Sequence, residues 1–100
     1  MPLFAVIRTR GVAWLSDHDL EDQPQWREHA DFMNGLAADG VVVLGGPLEG
    51  TPDVLLVMRA DSAETISHRL TDDPWTNLEL LRIRSITPWT LRLGVLPGTA

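Results

Sequence analysis

Hydrophobic and polar positions change period several times along the chain, and each change marks an element. LFAVIRTR, residues 3–10, is rich in β-formers and puts Arg8 and Arg10 on the same side as Phe4 and Val6, which predicts a first strand. A polar loop follows, carrying Ser16, Asp17, His18, Asp19, Glu21 and Asp22. Apolar residues then recur at the helical period. With Trp26 at zero, Trp26, Ala30, Met33, Leu36, Ala37 and Phe32 fall within one arc of roughly 160°, and Arg27, Glu28, Asp31, Asn34 and Asp39 fill the other side. Pro24 is expected to open this helix as a first-turn proline, with Asp22 or Gln23 near the cap, and Gly40 to end it.

VVVLGGP, residues 41–47, is a short apolar run closed by two glycines and a proline, the pattern of a buried strand leaving into a turn. DVLLVMRA, residues 53–60, reads as a third strand, and the short connection suggests a hairpin. In DSAE, Asp61 at the cap and Glu64 three residues on form an aspartate variant of the capping box. Ala63, Ile66 and Leu70 supply the buried stripe of this second helix, and Asp73 before Pro74 stops it. After a turn around Trp75, Thr76 and Asn77, residues 80–93 alternate. Leu81, Ile83, Ser85, Thr87, Trp89, Leu91 and Leu93 fall on one side, with Arg82, Arg84, Ile86, Thr90 and Arg92 on the other. This is the fourth strand. The tail VLPGTA, residues 95–100, has no pattern and is expected to be loose.

The order β-α-β-β-α-β, in a single domain over residues 1–100 with its core at about 3–94, predicts an α+β fold of the ferredoxin-like, split βαβ type. Two helices cover one face of a four-stranded antiparallel sheet. The other face is left apolar, and pairing two sheets face to face in a two-fold dimer covers it.

Composition narrows the classes. A chain of 100 residues buries roughly 60–65% of its unfolded surface and does not easily enclose a deep cavity of its own. With 44% hydrophobic and 22% charged residues the chain is of ordinary globular type, and no segment approaches the ~20 apolar residues of a membrane span. MPLFAVIRTR has no basic leader before its apolar run and reads as a strand, not a signal peptide, so a cytoplasmic location is expected. The absence of cysteine excludes thiol catalysis, disulfides and cysteine-based zinc sites. A formal charge of −6 argues against nucleic acid or an anionic membrane as principal partner.

The candidate chemistry centres on His29, which lies within the apolar arc of the first helix, between Met33 and Leu36. An imidazole there is either a hydrogen-bonded histidine at the edge of the core or a general acid or base. Asp72 and Asp73 are solvated loop carboxylates in the plain reading. A carboxylate at a helix C-terminus gains nothing from the dipole, however, and an aspartate that accepts from one imidazole nitrogen leaves the other free to move a proton. His18 and His68 read as surface residues. No spacing resembles HExxH or an EF-hand, so no metal is expected; GGPLEG lacks the lysine and helix of a P-loop, and no serine sits in a nucleophile elbow. Arg8, Arg10, Arg82 and Arg84 lie on the neighbouring first and fourth strands. They serve either to hold an anionic ligand between paired sheets or to discourage edge aggregation.

REHADFM within the first helix, the strand ending in GGPL, the DSAE helix start, DDPW and the closing RSITPWTLRLG together resemble the YCII-related family of small dimeric α+β barrel proteins, over roughly residues 3–94. That family is similar in fold to muconolactone isomerases and small antibiotic-type monooxygenases. The resemblance implies a homodimer, with a histidine and aspartate pair in a cleft that falls here on His29 and Asp73, and with Trp75 in the aromatic place after the proline. The acidic loop from Gly11 to Gln23 is particular to this chain, so substrate identity does not carry over.

The leading expectation is a small cofactor-independent enzyme, a lyase, isomerase or dehydrohalogenase acting on a cyclic or aromatic-derived metabolite. In it His29 and Asp73 form the catalytic pair, Trp26, Met33 and Trp75 supply apolar walls, and one or more of Arg8, Arg82 and Arg84 steadies a carboxylate or enolate oxygen. The rival from another class is a non-catalytic dimer that binds a small molecule, as in a regulatory module. A haem- or oxygen-dependent monooxygenase is the third. Assembly beyond the dimer is compatible with each.

Overall fold

The first apolar run forms strand β1, Leu3–Arg10, and the two later runs form β2, Val42–Pro47, and β3, Asp53–Arg59, in a computed structural model that describes residues 2–96. The fourth strand, β4, is Leu81–Trp89, shorter than the alternation suggests. All pairings are antiparallel and the sheet order is β2-β3-β1-β4, so β1 sits centrally and the β2–β3 hairpin flanks it. Helices α1, Trp26–Ala38, and α2, Ala63–Leu70, alternate with the strands in the ferredoxin-like order, and a short third helix, α3, Pro74–Asn77, precedes β4. The expectation of a loose tail falls largely on residues 97–100, which lie outside the described residues.

The core forms where the sheet meets the helices. Phe4 and Val6 of β1, Leu56 and Met58 of β3, Leu36 of α1 and Ile66 and Leu70 of α2 are buried together, each side chain contributing roughly 1.5–3 kcal/mol by leaving water. Alternation along a strand sends Leu3, Ala5 and Ile7 of β1 to the opposite face, where the register sets Leu55 and Val57 of β3 beside them, with Leu44 of β2 opposite Val57.

Local chemistry corrects four expectations. Helix α1 begins at Trp26, two residues after Pro24: a 3-10 turn at Leu20–Asp22 comes first, and the position before the helix is Gln25, held in the left-handed region at φ 54°. Neither Asp22 nor Gln23 caps it. The cap of α2 is Ser62, whose hydroxyl accepts the Thr65 N–H at 3.2 Å, so Asp61 and Glu64 do not form a capping box. DDPW, expected to be a helix stop and a turn, is instead a helix start. Helix α2 already ends at Leu70, and Asp73 caps α3 with Pro74 in its first turn.

The fourth correction concerns β4. Ile7 pairs with Ser85 and Arg8 with Ile83, so Arg84 is an extra residue that shifts the register. Strict alternation would leave Leu81, Ile83, Ser85, Thr87 and Trp89 on one side. The bulge instead brings Ile86 to the helix-covered face with Leu81 and Ile83, and Ile83 and Ile86 pack on the core.

Gly11 has its own constraint. A Cβ there would collide with the backbone carbonyl of Glu79, so only glycine lets the chain leave β1 beside the start of β4.

Candidate active site

The apolar arc of α1 serves two surfaces. Phe32 and Leu36, on one flank, pack into the core, while Trp26, Ala30 and Ala37, on the other, line a cleft of about 440 Å³, with Met33 touching both. His29 sits at the boundary, 8% exposed, and this explains its place in an otherwise apolar arc. Across the cleft lie β2 from Val42 to Pro47 together with Val54, Leu56 and Leu81, and Leu20 from the loop stands at the rim.

Asp73, with no exposed surface, meets the imidazole from α3. His29 Nδ1 lies 2.9 Å from both carboxylate oxygens. Oδ2 also accepts from Arg8 Nη1 at 2.7 Å, and Oδ1 accepts the Trp75 backbone N–H at 3.0 Å, the capping bond of α3. Burial acts to raise the Asp73 pKa, but the hydrogen bonds from His29, Arg8 and the Trp75 N–H, with the Arg8 charge, outweigh it and hold the carboxyl below its ordinary value. An ionised carboxylate only accepts, so Nδ1 carries the proton and Nε2 is left as the nitrogen able to take one.

Trp75 fixes the ring from its flat side. Its indole and the imidazole are stacked, with centroids 3.8 Å apart and planes within 3°. The indole Nε1–H donates to the Pro24 carbonyl at 2.6 Å, and Trp14 meets the same indole edge-on at 5.5 Å. Trp26 stands 6.0 Å from the imidazole and 5.8 Å from the Trp75 ring. The guanidinium of Arg10 covers Trp14 at 4.6 Å.

The loop between β1 and α1 is hung on Gln23. This buried side chain accepts the Leu15 N–H at 3.0 Å and donates to the carbonyls of Leu15, at 2.8 Å, and His18, at 3.2 Å. The acids of the loop are exposed, and the His18 imidazole pairs with its neighbour Asp17, at 2.9 Å; His68 is exposed on α2.

The four strand arginines part company. Arg8 faces the helices, is 1% exposed and lines the cleft floor with both terminal nitrogens engaged: Nη1 on Asp73, and Nη2 donating to Thr76 Oγ1 at 2.9 Å. Arg84 crosses to Asp53 at 2.7 Å, while Arg82, with Arg10, lines a separate hollow of about 730 Å³ beside α2 and β4. Neither Arg82 nor Arg84 borders the cleft that holds His29, whereas Trp26, Met33, Trp75 and Arg8 do. Of the adjacent acids, Asp72 is exposed and only Asp73 turns inward. Among the described residues no group of three or more histidine and acidic side chains is set to hold a metal ion, and no helix is long and apolar enough to cross a membrane.

Two residues escape a reading of the sequence. Thr76, which links Arg8 to α3 and donates to the Leu70 carbonyl at 2.7 Å, carries no signal beyond its position in the turn after Asp73-Pro74. Gln23 stands out only as a polar residue beside a helix start, and its amide contacts are tertiary.

A ferredoxin-like α+β domain with an imidazole–carboxylate pair on an apolar cleft is thus the class that fold and site define. The model of the YCII-related domain matches residues 6–90, and the chain belongs to that family. No curated protein matches the chain. Among solved structures, it is similar to 5-chloro-2-hydroxyhydroquinone dehydrochlorinase from Burkholderia phenoliruptrix in complex with 2,5-dihydroxybenzoquinone. The two chains are 20% identical, with a TM-score of 0.61 over 92% of this chain and 95% of that one, a likeness of fold.

Proposed function

We propose that the protein is a small enzyme that needs no cofactor, of the lyase, isomerase or dehydrohalogenase kind, acting on a small cyclic or aromatic-derived metabolite. His29 Nε2 takes a proton from the bound ring or its hydroxyl, while Asp73 holds the tautomer and balances the charge of the imidazolium. In an isomerisation the proton returns to another atom of the ring, and in a dehydrohalogenation the halide leaves with the bonding electron pair and the proton passes on to water. Trp26, Met33 and Trp75 form apolar walls for a flat ligand. The observation that carries this reading is the 2.9 Å contact of His29 Nδ1 with a buried carboxylate at the wall of a cleft that is otherwise chiefly apolar. The similar fold of a dehydrochlorinase supports this kind of chemistry.

In the same reading two copies of the chain pair through the uncovered face of the sheet, where Leu3, Ala5, Ile7, Leu55 and Val57 make a shared apolar surface. The protein works in the cytoplasm as this dimer or a multiple of it.

The test is turnover of chlorinated and non-chlorinated hydroxyhydroquinones, followed by halide release and by ring absorbance, with wild type and His29→Ala. Turnover by wild type, lost at least 100-fold in the variant with its thermal midpoint nearly unchanged, is the expected result. Turnover that survives in a destabilised variant makes His29 a core residue. Ligand binding without turnover in wild type makes the protein a binding module.

A further inference from the structure

Among the described residues Arg8 is the one permanently charged side chain lining the cleft, and both its terminal nitrogens are engaged. Its third nitrogen, Nε, is buried without a partner among the described residues. The hydroxyl of Thr76 accepts from Nη2 and donates to the Leu70 carbonyl, so the guanidinium is tied through one side chain to the last turn of α2. Met33 Sδ, 4.0 Å from Nη1, closes another side. An arginine meant to meet a ligand would keep its planar fork toward the cleft. This one spends its fork on Asp73 and Thr76.

We propose that Arg8 and Thr76 are positioning residues: Thr76 fixes the guanidinium, and the guanidinium fixes the Asp73 carboxylate as the partner that orients the imidazole of His29. The assignment rests on the acid–base reading above, and it replaces a role for Arg8 in steadying a ligand oxygen. The groups facing Asp73 come from three elements, Arg8 from β1, His29 from α1, and the Trp75 N–H from α3, with Thr76 reaching it only through Arg8. Losing either member of the Arg8–Thr76 link therefore acts on Asp73 first and on His29 through it.

The experiment uses the full chain labelled with ¹⁵N at histidine and ¹³C at aspartate, in wild type and in Arg8→Lys, Thr76→Val and Thr76→Ser. A lysine cannot reach Asp73 and Thr76 at once. Arg8→Lys is expected to raise the Asp73 titration midpoint by about one unit, a tenfold change in proton affinity, and to mix the His29 tautomers. Thr76→Val should shift both readouts in the same direction by less, and Thr76→Ser should restore wild-type behaviour.

If Arg8→Lys does not fold, the two Thr76 variants decide. Lower thermal midpoints with a wild-type Asp73 titration and a fully Nδ1-protonated His29 would overturn the proposal and leave the pair a packing role. The NMR readouts need no substrate. If they behave as expected while wild type turns over nothing, the acid–base function fails and the positioning assignment stands.

Discussion

The imidazole of His29 lies flat against the indole of Trp75, with ring centroids 3.8 Å apart and planes within 3°. Protons held over the face of an aromatic ring are shielded by its π electrons, so the carbon-bound ring protons of His29 should resonate upfield of those of His18 and His68, which are exposed. Replacing Trp75 by Leu should move them downfield in the proton NMR spectrum. Unchanged His29 shifts in that variant would mean that the stack is not formed in solution.

Replacing Asp73 by Asn should cost about 3–5 kcal/mol at neutral pH, because it leaves the Arg8 charge buried beside a neutral amide. The sign of the pH effect follows from the lowered pKa of Asp73. Its contribution is complete above the unfolded aspartate value of about 3.9 and is lost as the pH falls through the lower folded value. Urea midpoints of wild type and Asp73→Asn should thus converge in acid. A constant gap down to the acid transition would contradict the ion pair.

Leu55→Glu places a charge between Ile7 and Gly46, which the strand register sets on either side of position 55 on the uncovered face. Sedimentation should find wild type as a dimer and the variant as a folded monomer with unchanged circular dichroism. Wild type sedimenting as a monomer at high concentration would remove the paired-sheet assembly.

Ala37 is exposed yet lines the cleft, so Ala37→Trp fills the cavity without touching the core. Stability should change by no more than about 0.5 kcal/mol, as for a surface substitution, while binding of a ring ligand weakens at least tenfold by calorimetry. Unchanged binding would place the ligand elsewhere, the hollow beside Arg82 being the first alternative.

The fold was legible because periodicity is local. Strand β1 is legible at Leu3–Arg10 and the stripe Ala63, Ile66 and Leu70 on α2, since each needs only neighbours in the chain. His29 stood out by breaking its own arc. What failed depended on partners distant in sequence. The bulge at Arg84 exists only against Ile7 and Arg8, and it alone moves Ile86 to the core side. Asp73 could be noticed beside Pro74, but its capping of α3 needed the short helix after it to be seen as a helix. Arg8 and Asp73 are 65 positions apart, so the ion pair that occupies Arg8 is invisible to spacing, and a free arginine is the natural misreading.

The amide of Gln23 binds main-chain groups of Leu15 and His18, none of them side-chain atoms. A clasp made that way is blind to which residues ride on the segment it closes. Positions from Ser16 to Asp22 are consequently open to evolutionary drift or deliberate redesign, and a new recognition rim can be written over the His29 pocket while Gln23 and Pro24 keep the indole beneath it in place.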